Sequence, residues 1–336
     1  MNNSIPLRDL FPGLVVVGAV SAVAIAGGRA ESALFGRAAI EPLVLAILVG
    51  IVVKTARGAP RSTDAGVRFA AKDLLEVSVC LLGATMDVPR LFASGPALAG
   101  GIALLVCLAL VAGVAIGRLA GLTPKLAVLV ACGNAICGNS AIAAVAPAIG
   151  ADRDDIAASI ALTAVLGVVE VLCLPLLIAP LRLSHYQYGV LAGLSVYAVP
   201  QVLAAAFAVS TLSGQVATVV KLARVLMLGP AVVYFSLTAH RNGAAKLDVR
   251  KVLPWFVVGF VLLAASRSAG VIPDAASNLA KAASAWLMIA AMAALGLGVD
   301  VRTVRQSGTR VVLAIMGSLC ALILLSLLLI RLLALR

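Results

Sequence analysis

The sequence predicts an all-α, polytopic membrane protein. Of its 336 residues, 62% are hydrophobic and only 12% are charged, and the mean hydropathy is +1.13. Average soluble chains carry about 25% charged residues, so this chain has too few to cover a soluble surface. Runs of about 20 apolar residues recur from end to end, and each is long enough to cross a ~30 Å hydrocarbon core as a helix.

We predict about eleven transmembrane helices in one integral membrane domain that covers residues 1–336. The first apolar stretch is interpreted as a retained helix rather than a signal peptide. The predicted spans are approximately 11–28, 38–54, 67–87, 95–117, 124–149, 155–179, 187–209, 214–239, 252–269, 276–299 and 310–333.

The net charge of +12 comes from basic residues in short loops, which argues against nucleic acid as a partner. Most of them fall in alternate loops, as the positive-inside rule expects of cytoplasmic loops. We therefore predict a cytoplasmic N-terminus and an outer C-terminus. The loop cations are Lys54, Arg57, Arg61, Arg68, Lys72, Arg118, Lys125, Arg182, Arg241, Lys246, Arg250, Lys251, Arg302, Arg305 and Arg310.

Two segments match each other, "LLGATMDVPRLFASG" at 81–95 and "ALGLGVDVRTVRQSG" at 294–308. They end the third and tenth spans, which are an odd number apart and would cross in opposite directions. This pattern is typical of the inverted repeats of secondary transporters. The fifth span has no partner in this scheme. The matching residues are Gly83, Asp87, Val88, Ser94 and Gly95, with Gly296, Asp300, Val301, Ser307 and Gly308.

The fifth span contains Cys-Gly-Asn twice, in "CGNAICGNSAIAAVAP". Glycines loosen a helix, and unwound backbone at bilayer depth is tolerated only where it is packed in protein or lines a wet cavity. We predict a break whose amides bind an ion, followed by a half-helix with a positive N-terminal dipole. Close helix packing through small residues is the alternative. The candidate residues are Gly133, Asn134, Gly138, Asn139 and Ser140.

The seventh span contains Pro200 in "GLSVYAVPQVLAAA". Proline removes a backbone donor and clashes with the preceding turn, so the helix should break near 196–199. Ser195, Tyr197 and Gln201 surround this break and are candidate ligands, although an ordinary proline kink explains the pattern equally well.

Three charged residues fall inside predicted spans. Lys221 and Arg224 are three residues apart and share a helix face, and Glu170 lies in the middle of the sixth span. Cations in a membrane usually face a cavity, an acid or an anionic substrate, whereas snorkelling to the headgroups is the alternative. Glu170 is expected to be neutral or paired with one of the cations, and it could carry a coupling proton.

The six cysteines all fall in apolar spans and are interpreted as small buried hydrophobic residues. No cluster with histidine has the spacing of zinc ligands, so no metal site is expected. The spans also contain no Ser/His pair, no HExxH motif and no facing pair of aspartates, so we expect no enzymatic activity.

Four segments, "GNAICGNSAIAAVAP", "GLSVYAVPQVLAA", "VVKLARVLMLGP" and "MAALGLGVD", resemble the YeiH-like family of sulfate exporters in order and spacing. That family resembles the bile-acid symporter and sodium–proton antiporter fold group. The resemblance implies an inner-membrane anion transporter with panel and core bundles and with broken helices that cross at mid-membrane. Many members carry a His-Glu pair where this chain has Tyr197-Ala198, which leaves coupling and specificity open at this position.

Together these features predict a secondary active transporter of a small anion, sulfate or an organic sulfonate, that works by alternating access and by export or ion coupling. A Na⁺- or H⁺-coupled symporter of an organic anion and an anion channel are the alternatives. The expected partners are the anionic substrate and the lipid bilayer, with Na⁺ or H⁺ as coupling ion, no other cofactor and a homodimer left open.

Overall fold

The computed structural model describes residues 7–35, 42–57, 61–86, 95–239, 255–299 and 309–335. Within these ranges all regular structure is helical, which confirms the predicted class. Among the described residues, six helices are long and apolar enough to cross a membrane, and four shorter helices are apolar too. A helix satisfies every backbone group within its own segment, which is why apolar segments in lipid adopt it.

The first helix, α1, comprises Leu7–Phe35. A π turn joins helix α3, Asp64–Phe69, to helix α4, Leu75–Gly83. The remaining helices are α2 Pro42–Arg57, α5 Gly95–Leu119, α6 Pro124–Cys132, α7 Asn139–Ile149, α8 Arg153–Cys173, α9 Ile178–Leu181, α10 His185–Ser195, α11 Val199–Phe207, α12 Thr211–Leu226, α13 Leu228–Ala239, α14 Trp255–Ser268, α15 Asp274–Gly298 and α16 Thr309–Leu332.

These helices form two compact units. The first unit contains α1–α4, α14 and α15, and the second contains α5–α13 and α16. All of the candidate ion-binding residues belong to the second unit.

In the first unit, two glycines of the predicted repeat make equivalent contacts. A Cβ atom at Gly83 would collide with the carbonyl oxygen of Phe260, and one at Gly296 would collide with that of Ile47. Both pairs of positions, 83 with 296 and 47 with 260, are separated by the repeat offset of 213 residues. The glycines therefore allow two symmetry-equivalent backbone approaches.

Most of the repeat itself, and the basic loops at 240–254 and 300–308, lie outside the described residues. The inverted repeat therefore stays a prediction. The residues concerned are Asp87, Val88, Ser94, Arg241, Lys246, Arg250, Lys251, Asp300, Val301, Arg302, Arg305, Ser307 and Gly308.

The fifth predicted span is a helical hairpin that enters and leaves the second unit at the same end. We name residues 124–149 hairpin A. Its first and last turns are joined by Lys125, whose Nζ donates to the carbonyl of Gly150 at 2.6 Å. A π turn at Gly133–Cys137 and Gly138, with a φ of +68°, reverse the chain between α6 and α7. Only glycine adopts this φ without strain, which explains one of the repeated glycines.

The seventh predicted span is a second hairpin, hairpin B, residues 185–207. The hydroxyl of Tyr188 donates to the carbonyl of Ala205 at 3.0 Å, so α10 and α11 run antiparallel. The turn lies between Ser195 and Val199, where the proline predicted a break. Each hairpin begins with a cap, because Thr123 accepts from the amide of Leu126 and Ser184 accepts from that of Gln187.

The two hairpins enter from opposite ends of the unit. Between them the chain runs as one helical segment, Arg153–Leu181, whose 29 residues cover roughly 40 Å. The tips touch in the middle, because a Cβ atom on Gly138 would lie 3.7 Å from the backbone carbon of Tyr197. Hairpin B is therefore an inverted counterpart of hairpin A.

The fifth and seventh predicted spans are therefore hairpins rather than continuous helices, and the predicted count of eleven spans is not confirmed. Sequence periodicity could not distinguish a crossing helix from a hairpin, because both are about 25 apolar residues with a central break. If neither hairpin crosses the membrane, two crossings are removed and an odd number of crossings remains. The N- and C-termini are therefore still expected on opposite sides.

Cysteine labelling tests the hairpins. In a cysteine-free background, we expect Leu119→Cys and Asp152→Cys to react with an impermeant maleimide from one face of the membrane. His185→Cys and Leu212→Cys should react from the other face. If Leu119→Cys and Asp152→Cys react from opposite faces, residues 124–149 cross the membrane and hairpin A is wrong.

Gly296→Ala tests the glycine contact in the first unit. Because the new methyl group meets backbone of α2, we expect a loss of roughly 1–3 kcal/mol in unfolding free energy. Gly298→Ala is the matched control, since no atom lies within 4 Å of a Cβ at that position. Equal thermal stability of the two variants in detergent would contradict the close approach.

Candidate functional site

Arg224 joins the tips of both hairpins. Its side chain is fully buried, with 0% of its surface exposed. Nε donates to the carbonyl of Ala135 at 2.6 Å, NH2 donates to that of Asn134, and NH1 donates to that of Val196 at 3.3 Å. One guanidinium group therefore binds the end of the first helix of each hairpin.

Lys221 lies one turn earlier on α12 and is also fully buried. Its Nζ donates to the carbonyl of Ile136 at 2.9 Å and to that of Val196 at 2.8 Å. Carbonyls at a helix C-terminus lack intrahelical partners and carry negative partial charge, so a cation is favourable there. Because Lys221 is enclosed by these carbonyls, the snorkelling alternative is wrong.

Glu170 is the carboxylate of this site. It is 5% exposed on α8 and interacts electrostatically with Arg224 and Lys221. The Ser195 hydroxyl and the backbone amide of Tyr197 lie next to the carboxyl group, but neither meets full hydrogen-bond geometry with a carboxylate oxygen in the described residues. The predicted interaction with the two cations is present, but it is not a hydrogen-bonded ion pair. Two cations therefore face one carboxyl group in the centre of the unit.

The second helix of hairpin A presents its N-terminus to an exposed surface. Asn139 and Ser140 are exposed although they lie at the hairpin tip, next to the buried Gly138. Gly138 is the N-cap and has no side chain to accept the first amides of α7. Thr163 donates to Oδ1 of Asn139 at 3.1 Å and so orients the amide group. The exposed amides and side-chain donors of this helix end are able to bind an anion.

Asn134 and Gln201 have structural partners. Nδ2 of Asn134 donates to the carbonyl of Ile315 at 3.3 Å and to the hydroxyl of Ser318, which attaches hairpin A to α16. Oε1 of Gln201 accepts from the amide of Ala198 at 3.2 Å, and its Nε2 donates to the carbonyl of Ala164 at the same distance. Gln201 therefore caps α11 and connects it to α8.

Ser195, Tyr197 and Gly133 lie at the hairpin tips but face protein. The Ser195 hydroxyl donates to the carbonyl of Leu191 at 2.9 Å. Tyr197 packs in an apolar cluster of the unit, and its buried hydroxyl has no partner in the described residues. A Cβ at Gly133 would lie 3.0 Å from Ile142 across the hairpin, so this glycine allows close packing.

Three polar residues of this region were not singled out from the sequence. Thr163 orients Asn139, Ser318 holds Asn134, and Tyr188 closes hairpin B. Thr163 precedes Glu170 by seven residues, which places the two on one helix face and could have identified it. Ser318 and Tyr188 act through contacts distant in sequence, for which the sequence holds no signal.

The six cysteines differ in exposure, and Cys80 is partly buried. Cys132 and Cys137 are buried in hairpin A, as expected. Cys107, Cys173 and Cys320 are exposed on their helices, so the expectation of burial is wrong for these three.

The chain is similar to membrane proteins of several bacteria. The family model described as conserved hypothetical protein 698 matches residues 12–315. A UPF0324 membrane protein of Agrobacterium fabrum is 50% identical over 308 residues, 92% of this chain and 89% of that protein. One from Brucella suis is 50% identical over 97% of this chain and 98% of its own length, and one from Bacillus cereus is 34% identical over 83% of each. No solved structure matches.

Replacement of Arg224 should destabilise the protein. We expect Arg224→Met to leave up to three buried carbonyls without this donor, at roughly 1–3 kcal/mol for each that finds no other. Thermal unfolding of purified protein measures the loss. Arg331→Met, at an exposed position, is the matched control. Equal stability of both variants would show that Arg224 does not hold the tips together.

Proposed function

The chain belongs to the family described as conserved hypothetical protein 698, and we propose that it is a secondary active transporter of a small anion. Sulfate or an organic sulfonate is the proposed substrate class. The proposed location is the inner (plasma) membrane, with the N-terminus in the cytoplasm and the C-terminus outside.

The observation that carries the proposal is the burial of two basic side chains beside a single carboxyl group. Lys221 and Arg224 are completely buried where the hairpins meet, and Glu170 is the carboxyl group that faces them. A cation inside a membrane costs several kcal/mol and is usually associated with a function. An anion that binds near this centre balances the charge, whereas a cationic substrate is repelled.

The proposed anion site is the exposed N-terminus of α7. Asn139 and Ser140 supply the first amides of an 11-residue helix together with two side-chain donors. The positive end of the helix dipole favours an anion at this point. The neighbouring π turn carries the carbonyls that bind Lys221 and Arg224, so the cations lie next to this helix end.

The hairpins suit alternating access. They enter from opposite ends and touch at Gly138 and Tyr197, so each tip is reached from a different end of the unit, as alternating access requires. An anion channel is the alternative, and it requires a continuous wet pore. An ion-coupled symporter of an organic anion is a second alternative and would use the same residues.

Flux in proteoliposomes distinguishes these functions. We expect uptake of radiolabelled sulfate that saturates and that an ion gradient drives above equilibrium. Uptake that never exceeds equilibrium, whatever the gradient, would show a channel and contradict the transporter.

Asn139→Asp tests the anion site without disturbing the fold. An acidic side chain stabilises a helix N-terminus, and its oxygen still accepts from Thr163, so the hairpin should remain intact. The same charge repels an anion, and we expect sulfate to bind about tenfold more weakly in calorimetry, which corresponds to about 1.4 kcal/mol. Asn278→Asp, the same substitution at an exposed position of α15, is the control. Unchanged affinity in Asn139→Asp would exclude this site.

A further inference from the structure

The carbonyls at the hairpin tips already have cationic partners. In broken-helix transporters, unwound carbonyls and half-helix C-terminal ends coordinate the driving Na⁺ or H⁺. Here the corresponding carbonyls of Asn134, Ala135, Ile136 and Val196 accept hydrogen bonds from two fixed side-chain cations. A sodium ion at the tips would have to displace Arg224 or Lys221, both of which are attached to α12.

Because Lys221 and Arg224 donate to backbone carbonyls, neither of them forms a hydrogen bond with Glu170. Both of its oxygens are buried and accept no hydrogen bond in the described residues. The Ser195 hydroxyl and the Tyr197 amide face it, but the Ser195 hydroxyl donates to the carbonyl of Leu191. Burial favours the neutral acid, whereas the nearby cations and the adjacent Ser195 hydroxyl and Tyr197 amide favour the carboxylate. These opposing influences let a small change in local charge shift the group between its two forms.

The groups that face Glu170 determine which change in local charge would shift it between its protonated and ionised forms. Lys221 and Arg224 approach from α12, and Tyr188 and Tyr197 approach from hairpin B. Cys137 of hairpin A faces the two cations rather than Glu170. Among the basic and acidic side chains of the described residues, Arg224 and Lys221 are the ones that act on the carboxyl group.

We propose that Glu170 binds the coupling proton and that Lys221 and Arg224 take the place of a coupling sodium ion. This inference rests on the proposed anion transport and names its coupling ion. An anion beside the cations offsets their attraction for the Glu170 carboxylate, so it favours proton binding. By thermodynamic reciprocity, the proton then strengthens anion binding by the same factor. The proton and the anion therefore bind to the same state and are carried together in the same direction.

The proton site can be tested without any substrate. Full-length protein in nanodiscs is titrated with acid and base while infrared difference spectra record the carbonyl band of protonated carboxylic acids. We expect a band that titrates in the wild type, disappears in Glu170→Gln and persists in Glu76→Gln. Glu76 is the matched control because it is a half-exposed carboxylate of the first unit that accepts from Trp255. Absence of a Glu170-dependent band overturns the proposal.

The same titration tests the role of sodium. We expect identical curves in sodium chloride and potassium chloride at equal ionic strength, because the tip carbonyls are occupied. A curve that shifts in sodium alone would show that sodium competes with the proton or displaces a side-chain cation, and would overturn the proposal.

Proton uptake tests the coupling to the anion. Potassium sulfate is added to weakly buffered protein with a pH-sensitive dye, and potassium chloride of equal ionic strength is the control. We expect uptake of up to one proton per sulfate bound in the wild type and none in Glu170→Gln. Sulfate binding without proton uptake overturns the coupling but leaves anion transport standing. A Glu170 band that titrates, with no sulfate binding in calorimetry, leaves the proton site standing and contradicts sulfate as the transported anion.

Discussion

The hydrogen bonds from Arg224 and Lys221 to the tips of two hairpins are the interaction on which the second unit depends. Two helices end in the middle of an apolar unit, and each end leaves carbonyl groups without intrahelical partners. Water could satisfy them only in a wet cavity, whereas the two cations satisfy them within the protein. The cations are stabilised by the helix ends in turn, so neither half of the arrangement is stable without the other.

Each break in a helix creates two polar ends, one with unpaired carbonyls and one with unpaired amides. The two cations bind only at the carbonyl end. In hairpin A, the carbonyl end of the break is closed by cations, and the amide end at Asn139 and Ser140 is exposed. A break in a membrane helix could in principle bind either sign of ion. Once fixed cations occupy the carbonyls, the amide end is the part left to interact with a ligand, and that end favours anions.

The hairpins bear on the fifth predicted span, which has no partner in the predicted repeat. The fifth span has no second copy at the repeat offset, but hairpin B resembles it in form and enters the unit from the opposite end. The two hairpins share a capped start and a broken tip, but their sequences at the tip differ. Hairpin A uses a glycine with positive φ, and hairpin B uses Pro200 with a cap from Gln201. Different residues thus produce the same reversal of the chain.

The sequence by itself determined the membrane class, the helical segments and the positions of both breaks, because hydrophobic length, glycine and proline act locally. It also identified Glu170, Lys221 and Arg224, because a charge in an apolar run is conspicuous. Only the tertiary structure decided that each break reverses the chain, since a hairpin is defined by contacts such as Lys125 with Gly150 across 25 residues. It likewise decided that the cations bind carbonyls and leave Glu170 without a hydrogen bond, because those partners come from three segments that are distant in sequence.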